Sequence, residues 1–375
     1  MGRIEVETVY GQDPADGVWM NPMRELWGLS AQQVMTPVLE ERVCFTATQT
    51  GSFEKASSVA AKWGSPVDDS AIHRHVALAG GRAQSQARAR VERALDVHTR
   101  EEVVAEARTE VGKQPFSLVL MLDGWMLRER GAQWGFKPPE MKAERVAWKE
   151  MKSGIVFRLD QRVRTQSGRP MVLEKFYVSD RGEPEDLGRR LYAESLRRGL
   201  NQAERVYVVA DGAVWIWNLV ADRFSDAVGV LDFYHASQHL WAVAHALYGE
   251  ESDEARQWAE SLLHELRHGG EAGVLRTLGD LLGLCRDLDE KRRETIQREA
   301  AYFQNHKDHI HYDRHQQEGC PKGSGAMEST CSQFQDRFKR TGQFWTRDGE
   351  EQLLALELAR RNEDWDEIWE LEHVA

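Results

Sequence analysis

The chain has 375 residues, 41% of them apolar and 29% charged, with a formal net charge of -12. That length accommodates two or three units with sizeable cores. The acidic balance excludes a protein that coats nucleic acid through bulk charge, but it leaves room for a nucleic-acid enzyme whose basic residues are local and whose metal ions neutralise phosphates.

No apolar run approaches a membrane span, and MGRIEVETVY is not a signal peptide, so a cytoplasmic location is expected. Cys44, Cys285, Cys320 and Cys331 are scattered and make no CxxC pair, which implies neither a zinc knuckle nor a disulfide framework. Residues up to about 50 form a lead-in. Pro22 to Cys44 carries short apolar helical signals (Leu26, Leu29, Val34, Leu39, Val43) and no chemistry. Gly51 to Gly80 reads as two short helices. Ser52 caps the first, and Phe53, Ala56, Ala60 and Trp63 repeat at helical spacing. Gly64-Ser65-Pro66 breaks it, and Asp68, Asp69 or Ser70 caps a second helix with Ile72, Val76 and Ala79 inward. Two helices across a tight glycine turn suit a helix-turn-helix that offers His73 and Arg74 outward; an ordinary helical hairpin has the same pattern. Arg82 to Glu110 reads as one long helix with a solvated face (Arg82, Arg88, Arg90, Arg93), or less readily a phosphate-contacting or dimerising arm.

From Phe116 the pattern turns to short apolar runs. FSLVLMLDGW is a buried strand ending at Asp123. SGIVFRLDQRV and MVLEKFYVSD are strands separated by the turn residues Ser167 to Pro170. LGRRLYAESLRRGL is an amphipathic helix, RVYVVADGAVWIW a strand ending at Asp211, and DAVGVLDFYHASQHL a strand ending at Asp232 before a helix. Hydrophobic strands followed by helices imply an α/β sheet buried on both faces. Glu250 to Gln304 is helical in pattern throughout, an all-α insertion.

Asp123 and Asp211 share a context: each follows an aliphatic run and precedes a glycine. A carboxylate at a strand's C-terminal end, with a glycine behind it, leaves room for a metal or phosphate to approach. A plain Asp-Gly turn is the alternative. Near the end, GSGAMESTCSQFQDRFKRTGQFW opens a helix with Glu328 in its first turn. There Glu328 favours the positive helix N-terminus or reaches a ligand. Met327, Cys331, Phe334 and Phe338 make its apolar stripe. Asp232 and His235, in DFYH, either orient a phosphate or cap the following helix. The run HKDHIHYDRH fits no closed zinc pattern and reads as a surface cluster on a loop.

MLDGW with AWKEMKSGIVF, VVADGAVWIW, LDFYHASQHL and GSGAMESTCSQFQDRFKRTGQFW together resemble a bacterial insertion-sequence transposase of the DDE type, in the Kra-type group related to Mutator-like transposases. The similarity runs from about Pro22 to the C-terminus. It implies a ribonuclease-H-like mixed α/β sheet with an all-α insertion, preceded by a helical region with a helix-turn-helix. The division that follows is a lead-in over 1–50, DNA-binding helices over 51–80, a linking helix over 81–112, a catalytic domain over 113–249 and 306–348, an insertion over 250–305, and a C-terminal helix with an acidic tail over 349–375. The resemblance implies Asp123, Asp211 and Glu328 as catalytic, metal-binding residues holding two Mg²⁺ or Mn²⁺ ions, with Asp232 and His235 as accessory groups. Two such ions suit phosphodiester cleavage followed by strand transfer, since only the attacking oxygen changes. Arg337, Lys339 and Arg340 would hold phosphates along the same helix. Phe344 and Trp345 pack in the core or stack on an unpaired base. The expected partners are DNA, as terminal inverted repeats and target, and further copies of the chain on paired ends. The short N-terminal region departs from the family pattern. It makes a truncated or domesticated, non-catalytic DNA-binding remnant the competing expectation, and a cellular nuclease the third.

Overall fold

The computed structural model describes residues 35–111, 114–135, 145–250, 252–284 and 287–370, with scattered positions between 11 and 26. Pro22, Leu29, Val34 and Cys285, and the end of the acidic tail over 371–375, lie outside the described residues. The chain divides into two compact units, one of 1–90, 126–149 and 333–375, the other of 91–125 and 150–332. Among the described residues no helix is long and apolar enough to cross a membrane.

A short ribbon, β1 (Gly11–Gln12) with β2 (Trp19–Met20), stands ahead of a run of helices. α1 (Pro37–Gln49) has proline at its first position and is capped by the Thr36 hydroxyl. α2 (Phe53–Lys62) is capped by Ser52, as expected, and is followed by Gly64 at φ +77°. α3 (Asp69–Leu95) then runs for 27 residues. It passes through Gly80 and Gly81, where the sequence reading ended one helix and began the next. The reason is packing. A Cβ on Gly80 would lie 2.4 Å from the Gln352 carbonyl oxygen, so this glycine admits another helix instead of ending its own. The single helix expected over Arg82 to Glu110 breaks instead at Asp96. That carboxylate accepts the His98 N–H at 2.8 Å, the Thr99 hydroxyl donates to the Arg93 carbonyl at 2.7 Å, and α4 (Arg100–Val111) begins. Arg90 is paired with Asp364 and Glu367, and Arg93 with Glu102 and Glu106, so these arginines belong to ion-paired faces.

β3 (Ser117–Arg130) does not end at Asp123. Trp125 and Leu127 continue the alternation and are buried, which carries the strand on to Arg130. β4 (Val146–Arg158) follows, then a ribbon of β5 (Arg162–Arg164) and β6 (Pro170–Val172) across the expected turn, then β7 (Phe176–Asp180). α5 (Pro184–Arg197) opens with a capping box of Glu183 and Asp186. β8 (Arg205–Ala210), α6 (Val214–Arg223), β9 (Val228–Leu231) and α7 (Phe233–Tyr248) come next. The stretch read as helical carries α8 (Asp253–His268), α9 (Glu271–Leu284) and α10 (Glu290–Asn305). α11 (Tyr312–Gln317), α12 (Gly325–Phe338), α13 (Arg347–Arg361) and α14 (Glu367–Glu370) complete the chain.

The five-stranded sheet has the order β7-β4-β3-β8-β9. β4 and β7 are antiparallel; β3, β8 and β9 are parallel, so the fold is a mixed α/β sheet with many helices. Leu118, Leu120 and Leu122 share one face of β3. They pack with Val208 and Ala210 of β8, Leu187 and Leu191 of α5, and Ile216, Leu219 and Val220 of α6. Each fully buried leucine there contributes about 1.5–3 kcal/mol. The opposite face of β3 carries Val119, Met121, Asp123 and Trp125 by the period of two. On it the Trp125 indole donates to Ser153 Oγ at 2.9 Å, and Ser153 meets Ser179 Oγ at 2.7 Å. This buried rung crosses β3, β4 and β7 and resists a slip in their register.

Candidate carboxylate site at the sheet edge

The parallel register ends with Leu122 opposite Ala210, and Ala210 opposite Leu231. The next residues are Asp123, Asp211 and Asp232. Where their parallel pairing ends the three strands thus present one aspartate each, Asp123 within β3 and Asp211 and Asp232 just past β8 and β9, the side on which open α/β sheets form their sites.

The three carboxylates differ in what holds them. Asp123 is half-buried and accepts the Gly124 N–H at 2.7 Å. Burial raises its pKa above the usual carboxylate range; the Gly124 bond opposes this, the Asp211 charge adds to it, and Cys331 and His235 draw it back. Asp211 closes a turn by accepting the Ala213 N–H at 2.9 Å, and its carbonyl takes the Trp217 indole N–H at 2.9 Å. Asp232 is fully buried and caps α7, accepting from Tyr234 N–H at 2.6 Å and His235 N–H at 3.2 Å. Its second oxygen takes both the N–H and the hydroxyl of Ser324, the residue before α12. Of the two readings of Asp232, capping describes its bonds. Four donors occupy it, so it positions α12 and α7 and is not free to hold a cation. His235 is half-buried in the first turn of α7.

Glu328 lies exposed in the first turn of α12, its N–H bonded to Ser324 O at 3.1 Å. One turn on, Cys331 lies close to Asp123, and its thiol draws the Asp123 carboxyl down. Burial pushes that thiol well above its ordinary range, and the charges of Asp123 and Glu328 add to the effect. Cys331 therefore sets α12 beside the Asp123 face of the sheet. Asp123 and Asp211 stand within electrostatic reach of each other, and Glu328 sits one turn from Cys331. Among the described residues no group of three His, Cys, Asp or Glu side chains is gathered so that it could hold a cation.

The other expected positions separate. His73 and Arg74 are exposed on α3, His73 edge-on to Phe53 with centroids 5.2 Å apart. Lys339 spans Gln335 Oε1 at 3.3 Å and the Trp148 ring at 5.3 Å, and Arg340 is exposed with Nε on the Asp336 carbonyl at 2.6 Å. Arg337 is a correction. It is buried, donates to Ala47 O at 3.1 Å, and lies against the rings of Phe338 and Trp345, with burial bringing it down to about 10. Its guanidinium is a core group, out of reach of a phosphate backbone. Trp345 is likewise core, its indole bonded to Phe338 O at 2.7 Å, and Phe344 packs on Trp134 at 4.8 Å. The histidine run is not a surface loop: His315 is buried, and His309 stacks on Trp217 at 3.9 Å over Gly229.

Three residues near the carboxylates escaped the sequence reading: Ser324, Cys331 in its approach to Asp123, and Tyr302. A Cβ on Gly212 would lie 2.4 Å from the Tyr302 ring, so that ring covers the backbone directly behind Asp211. A tyrosine inside a helical stretch gives no sequence signal of this.

The fold and edge define a mixed α/β protein with carboxylates where the parallel pairing of its strands ends. The chain belongs to the uncharacterised protein family UPF0236, whose model matches residues 162–370. That span includes Asp211, Asp232 and Glu328, and Asp123 precedes it. No curated protein matches the chain. Among solved structures it is similar to a chain of the Drosophila P element transposase strand transfer complex, at 11% identity and a TM-score of 0.25, over 88% of this chain and 80% of that one.

Proposed function

We propose that the chain is a DDE-type DNA transposase that cleaves and joins DNA at the terminal inverted repeats of an insertion sequence. The observation that carries this reading is the position of Asp123 and Asp211 one residue past the last paired row of β3 and β8, with Glu328 one turn from Cys331, whose thiol acts on Asp123. The strand order β7-β4-β3-β8-β9 supports a ribonuclease-H-like core, with the helices over 250–305 as its insertion.

Asp123, Asp211 and Glu328 would hold Mg²⁺ or Mn²⁺. The donor set fits a hard dication: it is all carboxylate oxygen, and Cys331 keeps its proton and offers no soft ligand. A bound cation would relieve the mutual repulsion of the Asp123 and Asp211 charges. When bound, such ions activate a water or a 3′-hydroxyl and stabilise the departing oxygen. The chain's own part is positional. Asp232 and Ser324 fix the start of α12, Cys331 orients Asp123, and the Ala213 N–H orients Asp211. α2 and α3 would form the helix-turn-helix that reads the repeats, with His73 and Arg74 outward, and Lys339 and Arg340 would meet phosphates. The active form would be an oligomer on paired ends.

The test is Mg²⁺-dependent cleavage of a duplex carrying the element's terminal sequence. Wild type should cut it and Asp211→Ala should not. Equal cutting by both sinks the carboxylate assignment.

A further inference from the structure

β3 and β4 run on past the strands that flank them. β8 pairs with β3 only as far as Leu122, and β7 pairs with β4 only from Lys152 onward. Beyond those points the outer halves, Met126 to Arg130 and Val146 to Lys149, make an arm. The backbone of Trp345 lines its β3 edge, with Arg130 N–H to Trp345 O at 2.9 Å and Trp345 N–H to Arg128 O at 3.0 Å.

Cations and aromatic rings alternate along this arm. Lys339 Nζ lies 5.3 Å from the centre of the Trp148 ring. The carbonyls of Lys339 and Arg340 both accept from the Arg128 guanidinium, which lies 5.1 Å from the centre of the Phe344 ring. Phe344 packs on Trp134, and Arg130 lies 5.5 Å from the Trp134 ring. Two of these rings are open to solvent: Trp148 is 57% exposed and Trp134 38%. The acids in the same strands are engaged elsewhere. Glu129 buries a carboxylate oxygen, and Glu150 is paired with Lys152 at 3.7 Å. A chain of net charge -12 thus carries a local basic strip with open indoles set into it.

That alternation selects among occupants. An unpaired strand offers phosphates to the cations and a base to the ring, since every base has a π-face. A duplex keeps its bases stacked inside and gives the indoles nothing. An acidic protein would meet the cations and leave the rings unused. We propose that the strip binds single-stranded DNA, with a base stacked on Trp148 and phosphates of the same strand on Lys339 and Arg130. The proposal rests on the transposase reading for DNA as the substrate and adds the form in which this surface takes it. The stacking role expected for Phe344 or Trp345 passes to Trp148, because Trp345 is core and Phe344 lies between Trp134 and Arg128.

The experiment is fluorescence anisotropy on the full chain in EDTA, where metal-dependent cutting is silent. The probes are a labelled oligothymidine of about 12 nucleotides, the same backbone without bases, and a blunt duplex of arbitrary sequence. Trp148 is exposed, so its replacement leaves the core intact. Trp148→Ala should bind oligothymidine about tenfold more weakly than wild type, as for one lost base stack, and should bind the abasic strand and the duplex as wild type does. Trp148→Phe, which keeps a ring, should recover most of the loss. Arg130→Gln should weaken both single strands and flatten the salt dependence. Equal affinity of wild type and Trp148→Ala for oligothymidine overturns the proposal. So does an equal loss on all three probes, which would mark a general disturbance. Mg²⁺-dependent cutting of the element's terminal duplex separates the two readings. If wild type cuts, Asp211→Ala does not and Trp148→Ala binds oligothymidine as wild type does, only the strip falls. If wild type and Asp211→Ala cut alike while the Trp148→Ala loss appears, the carboxylate assignment falls and the strip stands.

Discussion

Asp232→Ala should loosen two helix starts at once. Removing the cap of α7 costs about 0.5–2 kcal/mol. The Ser324 N–H and hydroxyl lose a charged acceptor in a buried place, and each such bond is worth about 1.5–3 kcal/mol. Relief of a buried charge offsets part of this, so about 3 kcal/mol is a fair net expectation. With tenfold per 1.4 kcal/mol, amide exchange through local opening should quicken on the order of 100-fold. Hydrogen exchange read by mass spectrometry on peptides spanning 233–236 and 322–328 measures it, with the peptide over 53–62 as the control that should not change. Ser324→Ala closes a double-mutant cycle, and the double variant should cost less than the sum of the singles by about 1–2 kcal/mol. A change under about threefold in both peptides, or strict additivity in the cycle, would refute the view that Asp232 clasps α12 to β9.

Two neighbouring glycines should respond with opposite sign. Gly81 has nothing within 4 Å of an added Cβ, so Gly81→Ala should raise stability by about 0.5–1 kcal/mol, whereas Gly80→Ala drives a methyl into the Gln352 backbone and should cost about 1–3 kcal/mol. Thermal unfolding followed by circular dichroism separates them, and a shift of the same sign in both breaks the packing argument for Gly80. His309 supplies a pH test. Burial, chiefly, lowers it from 6.5 to about 4, so between those values the unfolded chain binds the proton that the folded chain refuses. Stability from this group is therefore complete above pH 6.5 and is lost as pH falls towards 4. His309→Phe keeps a ring on Trp217 and should flatten that part of the acid limb in thermal melts from pH 7 to 4.5; an unchanged slope would contradict it.

The inner strands were legible because burial on both faces leaves a continuous aliphatic run, as in Tyr207 to Ala210, ended by a polar residue. β3 was cut short because its outer half, Trp125 to Arg130, follows Asp123-Gly124 and ends in the charged run Arg128-Glu129-Arg130, which looks like surface. The break at Asp96 was missed because it is made by local side-chain bonds of Asp96 and Thr99 inside a helical pattern, and the run through Gly80 for another reason. A glycine's meaning depends on what approaches it, and Gln352 is remote in sequence. The carboxylates could be named from their strand ends, but their separate duties could not. Asp232 also ends an aliphatic run but lacks the glycine that follows Asp123 and Asp211, and its clasp on Ser324, remote in sequence, is seen only in the structure. Arg337 looked like the basic residues beside it because a helical wheel does not reveal that Ala47 offers a carbonyl to its guanidinium.

The clasp between β9 and α12 has a bearing on how such chains can vary. The polypeptide leaves at Phe233 and returns at Lys322, and these two residues are hydrogen-bonded, Phe233 N–H to Lys322 O at 2.8 Å. The Tyr312 hydroxyl reaches back to Leu231 O at 2.8 Å beside them. Departure and return thus share one doorway. The helices housed between can lengthen, shorten or be exchanged for a foreign segment at little entropic cost, since closure depends only weakly on the length enclosed. A transplant that respects the doorway would keep Glu328 where it is and change only what the annex delivers, Tyr302 included.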